Sequence, residues 1–400
     1  MLTRRFGKTN LQLPVFSCGG MRFQYKWQDT PLAQIPPDNQ ANLEATIRRS
    51  LELGITHIET ARGYGSSERQ LGVLLPKIPR DQFILQTKIA PEKNPDTFTK
   101  HFEESLSRLN LDHVDLLAIH GINDDETAAD SIGTDGKGGC LAAARKMQKR
   151  GLAKHIGFST HAPLRIILDL LRHERDGGFD YINLHWYYIF QNNWPAIEEA
   201  AKRDIGVFII SPADKGGKLY DPPQKLVDLC KPLHPIAFNA LFCLARPEVH
   251  TLSIGAARPA DFDDALTALP FLSTAADVAA PIAKRLDTAI TAAVEPDLVN
   301  PFNLNLPEWQ NTPGHLNIPV ILWLRNLQKA LDMQSYGEMR YNLLGNGGHW
   351  FPGLNAANIE KLDLSGVAQQ SGIPATRLKT LLQESHDLFG KQKVKRLSQS

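Results

Sequence analysis

Four side chains with complementary chemistry stand in order along the first third of the chain: Glu59, Tyr64, Lys88 and His120. A carboxylate, a phenol, an ammonium and an imidazole can together hold, donate and accept a proton at a reacting group. Three of them, Glu59, Lys88 and His120, end short apolar runs, as Ser159 does further on. Tyr64 follows Glu59 in the turn of GITHIETARGYGSSERQLG, residues 54–72. The plainer alternative is a structural Glu59–Lys88 ion pair with a packed aromatic beside it. What favours chemistry is recurrence, because an acid, a base, a histidine and a tyrosine converge only if the runs lie side by side.

The runs are the strands that must bring them together. Strands are expected at 14–18, 55–58, 83–86, 114–119, 153–158, 181–184, 206–210 and 251–254. Helices are expected between them, at 42–53, 67–75, 96–109, 141–150, 163–173 and 194–203. Residues 1–13, with the turn Gly7-Lys8-Thr9-Asn10, read as a small hairpin. Segments 22–40, 121–139 and 211–223 read as loops. Ser66, Ser67 and Glu68 read as a helix start, with a hydroxyl as cap and an acid at the positive end of the dipole. Near-continuous apolar strands alternating with helices mean a parallel sheet. Eight units favour an α/β fold of the closed (β/α)8 TIM-barrel type, whose sites lie at the C-terminal strand ends. An open doubly wound sheet remains the alternative, although no GxGxxG follows the first strand.

The 400 residues carry a net charge of +1, with 42% hydrophobic and 22% charged residues. That balance leaves no basic footprint for nucleic acid or an anionic membrane. Cys18, Cys140, Cys230 and Cys243 match no metal or redox spacing and read as reduced, buried thiols. No signal peptide and no unbroken apolar run of membrane-span length are expected. The expectation is a cytoplasmic protein with no metal, nucleic-acid or membrane partner. Oligomeric state is not legible.

The ordered motifs RRFGKTNLQLPVFSCGGM, GITHIETARGYGSSERQLG, LQTKI, DLLAIH, KHIGFST, GVFIISP and SIGAARPADF resemble the aldo-keto reductase family. The resemblance covers about the first 270 residues. It implies a (β/α)8 barrel that reduces a small-molecule aldehyde or ketone with NADPH (NADP) and without metal. The family's tetrad of Asp, Tyr, Lys and His maps onto Glu59, Tyr64, Lys88 and His120, with Glu one methylene longer than the usual Asp. Cofactor contacts map onto Ser159 and Asn183 at the nicotinamide amide, the latter more often Gln, onto Ile210, where a stacking aromatic is usual, and onto Ser211. The segment Ser253–Arg258, with Gly255, maps to the adenosine phosphate, Arg258 being its cation.

Within that reading Tyr64 is the acid, its phenol pKa of about 10 lowered by an adjacent Lys88 ammonium. Glu59 orients Lys88, and His120 donates to the carbonyl oxygen. His57, His185, Trp186, Tyr187 and Tyr188 read as barrel packing, with pocket lining as the alternative for the aromatics after the 181–184 strand. Domains are expected at 1–272, the barrel, and 273–400, a mainly helical extension. The extension resembles a ferredoxin-like appendage found in part of the family. The four cysteine places fall on Phe302, Asn305, Glu308 and Thr312, so no iron–sulfur cluster is expected. Residues 338–353 read as a turn-rich aromatic loop. A second function stays open: a cofactor-binding regulatory or partner subunit with little turnover.

Overall fold

The computed structural model describes residues 1–134, 138–345 and 350–391. Strands β1 (Thr3–Arg5) and β2 (Gln12–Pro14) pair antiparallel as a hairpin. Eight more form the barrel: β3 (Phe16–Gly19), β4 (His57–Glu59), β5 (Ile84–Ile89), β6 (Val114–His120), β7 (Ala153–Ser159), β8 (Tyr181–Leu184), β9 (Gly206–Ile209) and β10 (Thr251–Ile254). All neighbours are parallel, and β10 pairs with β3 to close the ring. The closed barrel is therefore what the chain forms, and the open sheet is not.

The barrel interior follows from a side-chain period of two. Ile84, Leu116, Ala118, Tyr181, Phe208 and Ile210 pack together with Phe6 and Leu13 of the hairpin. In the same interior, Ser17 Oγ bonds His57 Nδ1 and Thr251 Oγ1, each at 2.7 Å. Toward the C-terminal ends of the strands stand Glu59, Lys88, His120, Ser159, Asn183 and Ser253. The layer nearest the C-terminal mouth is thus polar where the layers below are mostly apolar.

Most helices fall where the apolar spacing puts them, with ends shifted by a residue or two. The first runs Pro37–Glu52, five residues earlier than expected, because Pro37 can occupy the first helical turn without losing a hydrogen bond. The 121–139 segment is not all loop. Asp124 and Thr127 form a reciprocal capping box that starts a helix at Asp125–Ile132. Residues 135–137 lie outside the described residues.

The chain divides into two compact units. One comprises residues 1–216 and 239–276, the other 217–238 and 277–400. In the second unit, helix Ile318–Leu331 packs on helices Gln334–Leu343 and Ala375–Phe389 of the same unit. Its buried Arg325 pairs with Glu295 and Glu384 at 2.9 and 2.7 Å. Gln334–Leu343 is helical, so residues 338–343 of the expected 338–353 loop are not a loop. His349 lies outside the described residues. Pro259–Ala293 joins into one helical stretch, long and apolar enough to cross a membrane by length and composition alone. The sequence reading did not anticipate it. Ala275, Ala279, Ile282 and Leu286 are its buried stripe, and Asp277, Lys284 and Asp287 are polar neighbours, the pattern of an amphipathic surface helix.

Candidate active site

Glu59 and Lys88 come from adjacent strands and are 3% and 1% exposed. Their charged ends are in direct contact. Lys88 Nζ also donates to the Thr60 carbonyl at 2.9 Å and to the Tyr64 hydroxyl at 3.2 Å. That hydroxyl donates to Glu59 Oε1 at 3.3 Å. The extra methylene of Glu59 therefore does not prevent pairing with Lys88. His120 sits edge-on to Tyr64, with ring centroids 5.6 Å apart at 85°. The structure brings all four tetrad candidates together.

A tight turn holds Tyr64. Gly65 has φ +51°, and a Cβ there would lie 1.8 Å from the Lys26 carbonyl oxygen, so only glycine lets segment 25–27 close over it. The same segment puts Trp27 edge-on to the Tyr64 ring at 6.1 Å. Ser66 does not act as a helix cap. Its Oγ accepts from the Tyr25 N–H at 3.1 Å and donates to Gln70 Oε1 at 2.8 Å, tying the segment to the helix instead. Glu68 is buried, with Oε1 accepting from the Thr87 hydroxyl at 2.6 Å. Burial raises its pKa, so it is not the exposed dipole partner that its position suggests.

Burial also sets the protonation pattern. Tyr64 is pushed above the usual phenol value, and Lys88 well below the usual ammonium value. The expected lowering of Tyr64 by Lys88 is outweighed, and the phenol keeps its proton at neutral pH. His120 is pulled down to about 3 by burial, then by the Lys88 and Lys215 charges. It is a neutral imidazole at neutral pH.

The predicted cofactor residues line the next part of the mouth. His120, Ser159 and Asn183 lie side by side in register on β6, β7 and β8. Ser159 Oγ accepts from the Gly121 N–H at 3.0 Å. Asn183 is fully buried, and neither its amide oxygen nor its amide nitrogen has a partner. Unmet amide groups at a strand end fit a carboxamide such as that of a nicotinamide. Ile210 faces the barrel cluster, and Ser211 holds φ +53°. Ser253 is buried beside Gly19. Gly255 offers its carbonyl to Arg22 at 2.9 Å. Arg258 is exposed and bonded to Asp261 at 3.1 Å, so it is not an unpaired cation.

Sequence reasoning missed Arg22 and Trp27, hidden in a segment read as loop. It also missed Lys215 and the pair His161–His185, of which His185 had been read as packing. Among the described residues, no group of three or more His, Cys, Asp or Glu is arranged to hold a metal.

Residues 16–219 match the family model described as the aldo/keto reductase family. This chain belongs to the aldo/keto reductase family. It is similar to L-galactose dehydrogenase of Arabidopsis thaliana, with 28% identity over 53% of this chain and 66% of that one. It is also similar to L-glyceraldehyde 3-phosphate reductase of Escherichia coli K12, with 28% identity over 43% and 49%. The match thus spans about half to two thirds of these relatives' length. In fold it resembles the holo form of an aldo-keto reductase from Bacillus halodurans, with TM-score 0.57, 20% identity, and 71% and 96% coverage. A thermostable aldo-keto reductase solved with the inhibitor epalrestat gives TM-score 0.55 at 18% identity, with 70% and 100% coverage.

Proposed function

We propose that this aldo/keto reductase family member is an NADPH-dependent enzyme that reduces an aldehyde or ketone to an alcohol, with Tyr64 as proton donor. The observation that carries the reading is the Glu59–Lys88–Tyr64 contact beside His120 and the unpartnered amide of Asn183. The relatives' names, a sugar dehydrogenase and an aldehyde phosphate reductase, are of the same reaction class.

NADPH supplies the hydride when bound. Asn183 and Ser159 hold its carboxamide, Ile210 contributes an apolar contact, and Ser211, Ser253, Gly255 and Arg258 line the rest of its path. His120, neutral, donates one N–H to the substrate carbonyl oxygen and positions it against Tyr64. As the carbonyl carbon gains the hydride, its oxygen takes the proton of the Tyr64 O–H, and solvent later returns that proton. Lys88 stabilises the phenolate left behind, and Glu59 holds Lys88 in place. Raised acidity in Tyr64 is therefore needed only transiently.

Tyr64→Phe tests the reading. It should retain NADPH affinity and lose about two to four orders of magnitude in reduction rate, the range of an acid–base group. Unchanged turnover would remove Tyr64 from the role. The regulatory-subunit reading predicts instead tight NADPH binding without turnover of any aldehyde in a panel.

We further read 273–400 as a structural extension derived from a cluster-bearing appendage that has lost its cysteines. The absence of any cysteine after Cys243 supports this. Iron analysis of protein purified without air, expected to give no iron, tests it. A cytoplasmic location is proposed with it, and fractionation checks that.

A further inference from the structure

Gln86 is the inward-facing residue between Ile84 and Lys88 on β5. It is fully buried, and neither atom of its side-chain amide has a partner among the described residues. Its register partners on the two adjacent strands are Glu59 of β4 and Leu116 of β6. It therefore lies beside Glu59 and one inward step below Lys88, under the tetrad. His57, one inward step below Glu59, is also fully buried. Its Nδ1 is bonded to Ser17, and its Nε2 has no partner among the described residues. Burial first, then the charges of Asp115 and Lys88 and the Gln86 amide, set how readily this imidazole takes a proton. Gln86, His57 and Lys88 thus act on one another, although Gln86 and His57 do not meet hydrogen-bond geometry. Ser17 also bonds Thr251, so the His57 ring can carry its proton on either nitrogen. An amide suits both cases, because it offers an oxygen to an N–H and an NH2 to a bare nitrogen.

Packing gives no reason for a glutamine at this place. Ile84, Leu116, Ala118 and Phe208 make the surrounding interior apolar. A methionine has nearly the same length and would bury no unmet amide. An unmet buried polar group costs stability, and its presence calls for an explanation. The neighbouring ion pair supplies one. Burial pushes Lys88 well below the usual ammonium value, and an apolar interior favours neutral groups over charged ones. The phenolate of Tyr64 needs the ammonium form. A dipole that turns its NH2 toward the carboxylate, or its oxygen toward the ammonium, favours that form. Lys88 Nζ already meets Glu59, the Thr60 carbonyl and the Tyr64 hydroxyl, so the amide acts through its field. The other titratable groups around Lys88 are His57 of β4, Tyr64 of the following turn and His120 of β6. Both imidazoles are neutral at neutral pH, and the charges of Asp115 and Lys215 reach them.

Resting on the reductase reading above, we propose that Gln86 is a positioning residue of this active site. Its amide, backed by His57, holds the Glu59–Lys88 pair in the ionised form, so that Lys88 is a cation when Tyr64 gives up its proton.

Gln86→Met and Gln86→Asn test this in the full-length protein. The first keeps the side-chain length and removes the dipole, and the second keeps the dipole on a shorter stem. Reduction of 4-nitrobenzaldehyde by NADPH is followed across pH, with urea unfolding beside it. Gln86→Met should be at least as stable as wild type, since it removes an unmet polar group. The basic limb of its kcat profile should nonetheless move down by about one pH unit, with KM unchanged, one unit being tenfold in that protonation equilibrium. Gln86→Asn should recover part of the shift. A second readout needs no turnover. In protein carrying 15N-labelled lysine, the Lys88 Nζ resonance is identified by its loss in Lys88→Arg, and its titration midpoint should fall by about one pH unit in Gln86→Met. If that midpoint moves while wild type reduces no aldehyde, the action of Gln86 on Lys88 stands and it is the reductase reading that fails. If wild type turns over and either the midpoint or the basic limb is unmoved in Gln86→Met, the proposal is overturned and the reductase reading stays. A Gln86→Met protein less stable than wild type overturns it too, because the amide is then a structural partner.

Discussion

Replacing Lys88 by methionine should destabilise the barrel far more than the volume change suggests. Lys88 and Glu59 are both almost wholly removed from solvent, and their charges touch. Methionine has nearly the shape of the lysine stem, so packing changes little. What remains in the variant is the Glu59 carboxylate, with only the 3.3 Å bond from Tyr64 among its described hydrogen bonds. Removing one partner of a buried pair costs about 3–5 kcal/mol, because the other charge is left uncompensated. At about 2–4 °C per kcal/mol for a domain of this size, Tm should fall by about 6–20 °C. Urea unfolding at pH 7.5, followed by tryptophan fluorescence, measures the loss. The double variant Lys88→Met with Glu59→Gln removes both charges and should recover a good part of it. The deficit of the single variant should also narrow toward pH 5, where an unpaired buried Glu59 takes up a proton and its charge disappears. If the single and double variants are equally stable, or if the single variant matches the wild type, the charge argument is wrong.

Three further outcomes are expected. His57 is fully buried and held down to about 3, while an unfolded histidine takes its proton near 6.5. Between those values the unfolded chain binds more protons, so stability should fall as pH drops from 6.5 toward 3, by about 1.4 kcal/mol per pH unit for this group. Urea curves of wild type and His57→Asn at stepped pH check it, and a pH slope unchanged by the substitution refutes it. Arg258→Ala should reduce the preference for NADPH over NADH, read as the ratio of their dissociation constants, and an unmoved ratio removes Arg258 from phosphate binding. A chain ended at residue 272 should aggregate or melt lower. It loses Arg285, which bonds the Leu229 carbonyl at 3.0 Å, and Ser335, which bonds Lys218 at 2.7 Å, and so strips segment 217–238 of its unit. A soluble truncated chain with the full-length Tm refutes this.

Much of the barrel and tetrad was legible because both are written locally. A short apolar run announces a strand, and period two then makes its last inward residue part of the mouth. Glu59, Lys88, His120 and Ser159 could be found that way, whereas Asn183 came from the family resemblance. Residues supplied by loops could not, because the path of a loop in space leaves no periodic trace. Arg22, Trp27, His161 and Lys215 reach the mouth by such paths. Electrostatic direction was misjudged for a related reason. The sequence pairs Tyr64 with an ammonium but does not reveal that Lys88 is almost wholly enclosed and Tyr64 partly so, and burial decides the sign. Ser66 was misassigned because a hydroxyl before a helix is usually a cap, whereas here segment 25–27 competes for it. The Arg258–Asp261 pairing could have been seen in advance, since the two are three residues apart.

The seam between β10 and β3 has a consequence for synthesis. On one edge, Phe16, Ser17 and Cys18 pair with Leu252, Ser253 and Ile254, while the other edge pairs with β4 through Cys18 and Ile58. At about 5–20 residues per second, the first barrel strand waits roughly 10 to 50 seconds for the last to be made. During that time its edge offers unpaired backbone groups to any neighbouring chain. A chain halted before residue 254 lacks part of the strand that closes the ring.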